Sequence, residues 1–293
     1  MYQSLFINCI GSNIFTTLGA LDKLKEKLEN IKIYNVSGNA SLILFYKLLG
    51  FTYQQTYEKL KKINLINSLI NGHSLFPENE DEKLEYIKDL LKKDNKSLIK
   101  ESSTLLEVKN LTGISPCFIV WNRSLQKIVN INPEKNPDIK LIDCVLCSLC
   151  NIGVYKTYDI DDNTYSSLEN IECFPVSYSY YTDIDKLFYL VNITSYDKDY
   201  SWGLNLGPLK DSEDEFLLQK GEYHKYRIEN SCKSLPKPKN ILKIYSLFSR
   251  GNSKEEEKAS LFILGHRQAK GFLEEKDTYK VYQDYLETIF RQA

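Results

Sequence analysis

The apolar positions of the first fifty residues fall into two alternating rhythms. Residues 4–10, SLFINCI, are apolar at most positions over a length that suits a short buried strand. TTLGALDKLKEKLEN follows with Leu18, Leu21, Leu24 and Leu28 at helical intervals, which predicts a helix. IKIYNV predicts a second short strand. SGNASLILFYKLLGF then predicts a turn and a strongly apolar helix, stopped by Gly50. This β-α-β-α order predicts a three-layer α/β/α domain on a mainly parallel central sheet.

The pattern changes after residue 51. Residues 52–113 read as a helical, charge-rich and lid-like region, with FPENED as a loop and the charged faces in solvent. PCFIVWNR and KIVNINP predict paired strands, LIDCVLCSLCN a buried helix, and KLFYLVNIT a strand apolar on both faces. The Lys-Pro stretch KSLPKPKNILK predicts a surface loop. Residues 252–291 predict two closing helices, the first capped by Asn252 or Ser253, with Glu255, Glu256 and Glu257 at its positive end. With no internal repeat and no clean linker, residues 1–293 are expected to form one domain.

Composition narrows the class. A hydrophobic content of 42% and a charged content of 26% are those of a globular protein. A formal net charge of -1 provides no field to attract nucleic acid or an anionic membrane. No apolar run is long enough to span a bilayer, and the N-terminal residues do not have the pattern of a signal peptide. The seven cysteines are expected as reduced thiols in a cytoplasmic setting. Heavy use of Tyr, Asn, Lys and Ile suggests an AT-rich genome, as large DNA viruses and some parasites have.

Four stretches carry the candidate chemistry. INCIGSNIFTTLGAL sets a glycine after a strand and before a helix. NVSGNASLILFYKLLGF sets a turn before an apolar helix that ends in Gly-aromatic. TLLEVKNLTGISPCFIVWNRSLQKIVNINPEKNPDIKLIDCVLCSLCNIGVY and IDDNTYSSLENIECFPV complete the set. In this order they resemble the patatin-like phospholipase family over residues 4–193, and the helical C-terminus is of the kind those proteins carry. The resemblance implies a patatin-like fold. It also implies where a Ser-Asp pair and a glycine-rich oxyanion loop would stand. Counting twelve residues back from Gly50 puts Gly38 at the position of the serine nucleophile, with Val36 and Ala40 at the flanking glycines. The gapless match of the fourth stretch puts Ser167 at the catalytic aspartate, Leu168 and Glu169 at two glycines, and keeps Pro175. Gly11, Ser12 and Asn13 are what remains of the oxyanion loop, and Ile14 stands where that loop has a glycine.

Such chemistry needs a serine on a strained turn, a carboxylate to orient or deprotonate it, and backbone N–H donors worth about 3–4 kcal/mol each to the oxyanion. Glycine has no nucleophile, and a serine hydroxyl is no base at neutral pH. The resemblance therefore implies a pseudoenzyme acting as a binding, scaffold or structural component, with no cofactor and no metal. Its expected partners are proteins, with lipid or fatty acid in a remaining cleft. The alternative is an active lipid acyl hydrolase of phospholipase A type, using Ser37 in a shifted elbow flanked by Asn35 and Asn39. Asp161 or Asp162 would then serve as carboxylate, although the gapless match sets Asp161 on the preceding turn. Ser37 also suits a helix N-cap. Cys144, Cys147 and Cys150 are expected as buried helix residues rather than a cluster site, because a helix fans thiols at this spacing apart. His73, His224 and His266 show no ligand spacing.

Overall fold

The computed structural model describes residues 1–9, 13–62, 98–150, 157–168, 175–195, 226–233, 235, 238–247 and 255–290. Its strands form one eight-stranded sheet. They are β1 (Ser4–Cys9), β2 (Ile33–Gly38), β3 (Ser115–Asn122), β4 (Lys127–Ile131), β5 (Tyr158–Ile160), β6 (Asn163–Ser166), β7 (Leu187–Ser195) and β8 (Ile241–Leu247). The path through the sheet is β5-β6-β3-β2-β1-β7-β8, with β4 paired to β3. Neighbours from β3 to β8 along this path run parallel, and β4, β5 and β6 join antiparallel. The helices are α1 (Asn13–Leu24), α2 (Ala40–Leu48), α3 (Tyr53–Leu60), α4 (Leu105–Thr112), α5 (Leu141–Leu149), α6 (Glu255–Leu273) and α7 (Thr278–Phe290), and residues 226–233 are also helical.

β1 and β2 are buried at every position, as central parallel strands covered on both faces must be. Their alternate side chains feed two cores. Leu5, Ile7, Tyr34, Val36, Phe118, Val120 and Leu190 pack with residues of α1, α2, α3 and α5 on one face. Phe6, Ile119, Tyr189, Val191 and Ile193 pack on the other with Ile228 and Cys232 and with Tyr282, Tyr285 and Leu286 of α7. The molecule is thus a three-layer α/β/α arrangement with a helical C-terminal part, as the order of apolar segments predicts.

Gly50 ends α2 in a Schellman motif. Its φ is +87°, its N–H donates to Lys47 O at 3.0 Å, and Phe51 N–H donates to Tyr46 O at 3.0 Å. The Phe51 ring packs edge-on against Tyr46 with centroids 5.5 Å apart, the apolar contact that accompanies this cap. A Cβ on Gly50 would meet nothing within 4 Å, so its cost is backbone conformation alone. Gly50→Ala is expected to lower stability by about 1–2 kcal/mol, read from the midpoint of urea unfolding.

Two elements depart from the expected pattern. The Lys-Pro stretch is not loop to its end: a 3-10 turn at Pro238–Asn240 leads into β8, which runs parallel to β7. The hairpin β5–β6 stands where only a motif match was read. Among the closing helices, α6 begins with Glu255, Glu256 and Glu257 as expected, while its proposed caps Asn252 and Ser253 lie outside the described residues. The side chain of Lys258 is buried and donates to Lys61 O at 2.8 Å, at the C-terminal end of α3. Its ammonium lies 5.7 Å from the Phe15 ring centroid. That placement joins α6 to α3 and α1, and burial pulls the Lys258 pKa down.

Candidate functional site

β2 leaves the sheet at Gly38. Its register runs Asn8 opposite Ser37 and Cys9 opposite Gly38, so the strand is paired with β1 to its last residue. Gly38 has φ +61°, Asn39 is already in the right-handed helical region, and α2 starts at Ala40. A reversal from strand to helix in one left-handed residue is the geometry of a nucleophile elbow, and its apex here carries no side chain. Asn39 N–H, next after the apex, donates to Cys9 O at 3.1 Å.

Ser167 follows β6, and the pairing of β3 brings it to the same place. β4 holds one edge of β3 over Phe118–Asn122. β2 and β6 therefore share the other edge, β2 along Ser115–Phe118 and β6 along Trp121 and Asn122. Continuing either register carries Gly38 from one direction and Ser167 from the other to Val120. The two positions singled out by the motif match thus stand at the facing ends of two strands on one edge of β3, Gly38 as the last residue of β2 and Ser167 next after β6. Ser167 is buried, and its N–H bonds Cys150 O at the end of α5. Asp161 and Asp162 form the exposed turn of the β5–β6 hairpin, Asp161 at φ +52°. Four strand residues, about 13 Å of chain, separate them from Ser167.

Ser37 lies within β2 and is buried. By strand alternation it shares a face with Asn35 and lies opposite to Gly38. Asn35 accepts from Tyr180 N at 2.6 Å, donates to Tyr180 O at 2.9 Å, and accepts from Asn130 Nδ2 at 3.4 Å. Asn130 also donates to Tyr178 O at 2.7 Å. This pins the segment after Pro175 across the sheet face below the elbow.

Gly11 and Ser12 lie outside the described residues, as do Glu169, His73 and His224. Asn13 and Ile14, read from sequence as part of the oxyanion loop, stand in the first turn of α1, and Ile14 is wholly buried in the core. The Asn13 carboxamide bonds the Ser246 hydroxyl across from β8. Around it lies a buried polar cluster that the sequence reading did not anticipate. Thr17 Oγ1 donates to Asn13 O at 2.8 Å, Cys9 Sγ donates to Thr17 Oγ1 at 3.1 Å, and Asn192 Nδ2 donates to Thr17 Oγ1 at 2.9 Å. Asn192 Nδ2 also bonds Asn8 O, and Asn192 N–H donates to Asn8 Oδ1 at 3.3 Å. The cluster ties β1, β7, β8 and the start of α1 together at the ends of the strands. Asn192 within the apolar run KLFYLVNIT was its one visible sign.

Cys144 and Cys147 lie on α5 and Cys150 caps it, all buried. Burial, with Asp143 nearby, raises the Cys144 pKa. Burial, then Cys144 and Cys150, raises that of Cys147. Both remain thiols, poor nucleophiles and poor ligands. His266 sits on α6, its pKa lowered by burial and then by Lys23, so its neutral form is favoured. No helix among the described residues is long and apolar enough to cross a membrane.

No family model and no curated protein matches the chain. Among solved structures it is similar to VipD from Legionella pneumophila, with a TM-score of 0.53 and 11% identity over 94% of this chain and 67% of that one. It is also similar to the heterodimeric ExoU–SpcU complex of the type III secretion system of Pseudomonas aeruginosa. There the TM-score is 0.54 and the identity 12%, over 94% of this chain and 51% of that one. The chain therefore spans about two thirds of the first and half of the second. At such identities the likeness is one of fold, and the fold of this chain is patatin-like.

Proposed function

We propose that this chain is a patatin-fold protein without the catalytic Ser-Asp pair, acting through binding as a scaffold or regulatory component. The observation that carries the reading is Gly38: the elbow is built, its apex is left-handed, and the apex residue has no side chain. Ser167, at the other half of the pair, brings a hydroxyl where a carboxylate would be needed. Asn39 N–H is already used by Cys9 O, which leaves one fewer donor for an oxyanion. The hydrolase alternative through Ser37 requires its hydroxyl to project from the turn. Its position inside β2 and the distance of Asp161 and Asp162 weigh against that. Losing one member of a catalytic unit removes most of the rate, so changes at both positions fit relaxed selection on chemistry. The fold keeps its acyl-side architecture in this reading, and lipid or fatty acid is the ligand class proposed for the remaining cleft.

The test is a fluorophosphonate probe, which reports an activated serine without knowledge of the substrate. Wild-type protein is expected to remain unlabelled and to show no esterase or phospholipase A turnover above background. Gly38→Ser alone is expected to stay inactive, and Gly38→Ser combined with Ser167→Asp to recover at most a trace. Labelling of wild type that disappears in Ser37→Ala would sink the proposal.

A further inference from the structure

Among the described residues, three polar groups in the first turn of α2 have no partner: the N–H groups of Ala40 and Ser41 and the Ser41 hydroxyl. Asn39, the N-cap, makes no side-chain cap hydrogen bond. The N–H of Asn39 goes to Cys9 O and that of Leu42 to Asn39 O, which leaves the N–H groups of Ala40 and Ser41 without an acceptor among the described residues. Between them stands the Ser41 hydroxyl, fully buried and without a hydrogen-bond partner. Helix geometry tilts the Cα–Cβ bond of Ser41 toward the N-terminus, so this hydroxyl is aimed at the same end as the two free N–H groups. The adjoining apex, Gly38, carries no Cβ. A buried hydroxyl without a partner costs about as much as a lost hydrogen bond, and a helix N-terminus favours negative charge.

From these groups we infer that the elbow is a carboxylate-binding site, with the Ala40 and Ser41 N–H groups and the Ser41 hydroxyl as its donors. The inference rests on the reading that Gly38 leaves the elbow without a nucleophile. The charge of the ligand follows from the surroundings. Among the described residues, 4–9, 13–21, 33–46, 115–122, 163–168 and 187–195, which supply the strands and helix ends around the elbow, include no charged side chain. A site of neutral donors suits a single delocalised negative charge. A phosphate monoester, with nearly twice that charge, would be desolvated without a cation to answer it. Two N–H groups and a hydroxyl match the two oxygens of one carboxylate.

The experiment titrates the full chain with sodium acetate and with sodium octanoate, following backbone amide resonances by NMR. Saturable shifts of the Ala40 and Ser41 amides are expected. Tighter binding of octanoate assigns the site to an acyl acid, and equal binding assigns it to the carboxylate alone; both support the inference. Gly38→Asp is expected to abolish the shifts, because its carboxylate, tolerated at positive φ, would occupy the site itself. Ser41→Ala is the second variant. It should weaken binding roughly tenfold through loss of one hydrogen bond to a charged group, while raising the melting temperature by removing an unpaired buried hydroxyl. Absence of saturable shifts with either acid, or shifts unchanged in both variants, would overturn the inference. Fluorophosphonate labelling of the same samples fails or succeeds independently, which separates this outcome from the fate of the proposed function.

Discussion

Gly19→Ala or Gly265→Ala is expected to destabilise the protein by about 3 kcal/mol, the upper part of the range for overpacking. The two glycines face each other's helices where α1 crosses α6. A Cβ on Gly19 would lie 1.9 Å from Phe262 O, and a Cβ on Gly265 would lie 1.8 Å from Thr16 O. Both obstacles are backbone, so no side chain can rotate away, and the helices must separate by more than an ångström along their whole contact. Alanine would otherwise favour a helix by about 1 kcal/mol over glycine, so the sign of the measured change is diagnostic. Gly271→Ala is the control, because the nearest atom to its Cβ would be Val281 Cγ2 at 2.8 Å, the end of a side chain that can shift, with the next atoms at 3.8 Å. The double variant is expected to lose less than the sum of the single ones, since the first alanine opens the crossing for the second. Urea unfolding midpoints at constant slope decide the matter, and a gain in stability at either position would remove the backbone-to-backbone crossing. The same crossing sets where α1 starts, and with it Asn13 and the polar cluster beside the elbow. Loss of the native Asn192 side-chain amide signals in a destabilised variant would mark that coupling.

How much of this was legible in the sequence depends on how local the cause is. β1, β2, β3 and β7 are covered on both faces and read as apolar runs. β5 and β6 are short and polar, held by pairing that begins over thirty residues upstream at β3, and no periodicity betrays them. Gly38 could be placed by applying the family's spacing back from Gly50, whose Schellman end is a sequence-local feature. The placement of Ser167 and Gly38 at facing strand ends could be reached only through the family resemblance, because it depends on β2 and β6 sharing one edge of β3. Gly19 lies in the stretch INCIGSNIFTTLGAL that carries the resemblance, and its physical reason is that it permits the crossing with α6. Asn192 and Thr17 are separated by 175 positions, so nothing near either residue signals their bond.

Gln268→Leu is expected to cost about 3 kcal/mol, although it exchanges a polar core residue for an apolar one of similar size. β8 is the last strand of the described sheet on its side, and its outer backbone groups need partners. Gln268, wholly buried on α6, supplies them: Tyr245 N–H donates to Gln268 Oε1 at 2.8 Å, and Gln268 Nε2 donates to Tyr245 O at 2.8 Å. One carboxamide thus stands in for a ninth strand, and its removal leaves a buried donor and a buried acceptor unpaired. Gln268→Glu separates the two bonds by charge. The ionised carboxylate accepts from Tyr245 N–H but presents a second oxygen to Tyr245 O, and burial disfavours its charge. The protonated acid can both accept and donate. The introduced carboxyl therefore has a folded pKa raised above its unfolded value of about 4.3. Its contribution to stability is fully present below that unfolded value and is lost as pH rises through the folded one. Relative to wild type, Gln268→Glu should be close to native stability near pH 4 and clearly weaker at pH 7, whereas the deficit of Gln268→Leu should not vary with pH. Unfolding midpoints for the three proteins across this range test the pairing, and a pH-independent deficit for Gln268→Glu would show that the side chain does not close the edge of β8.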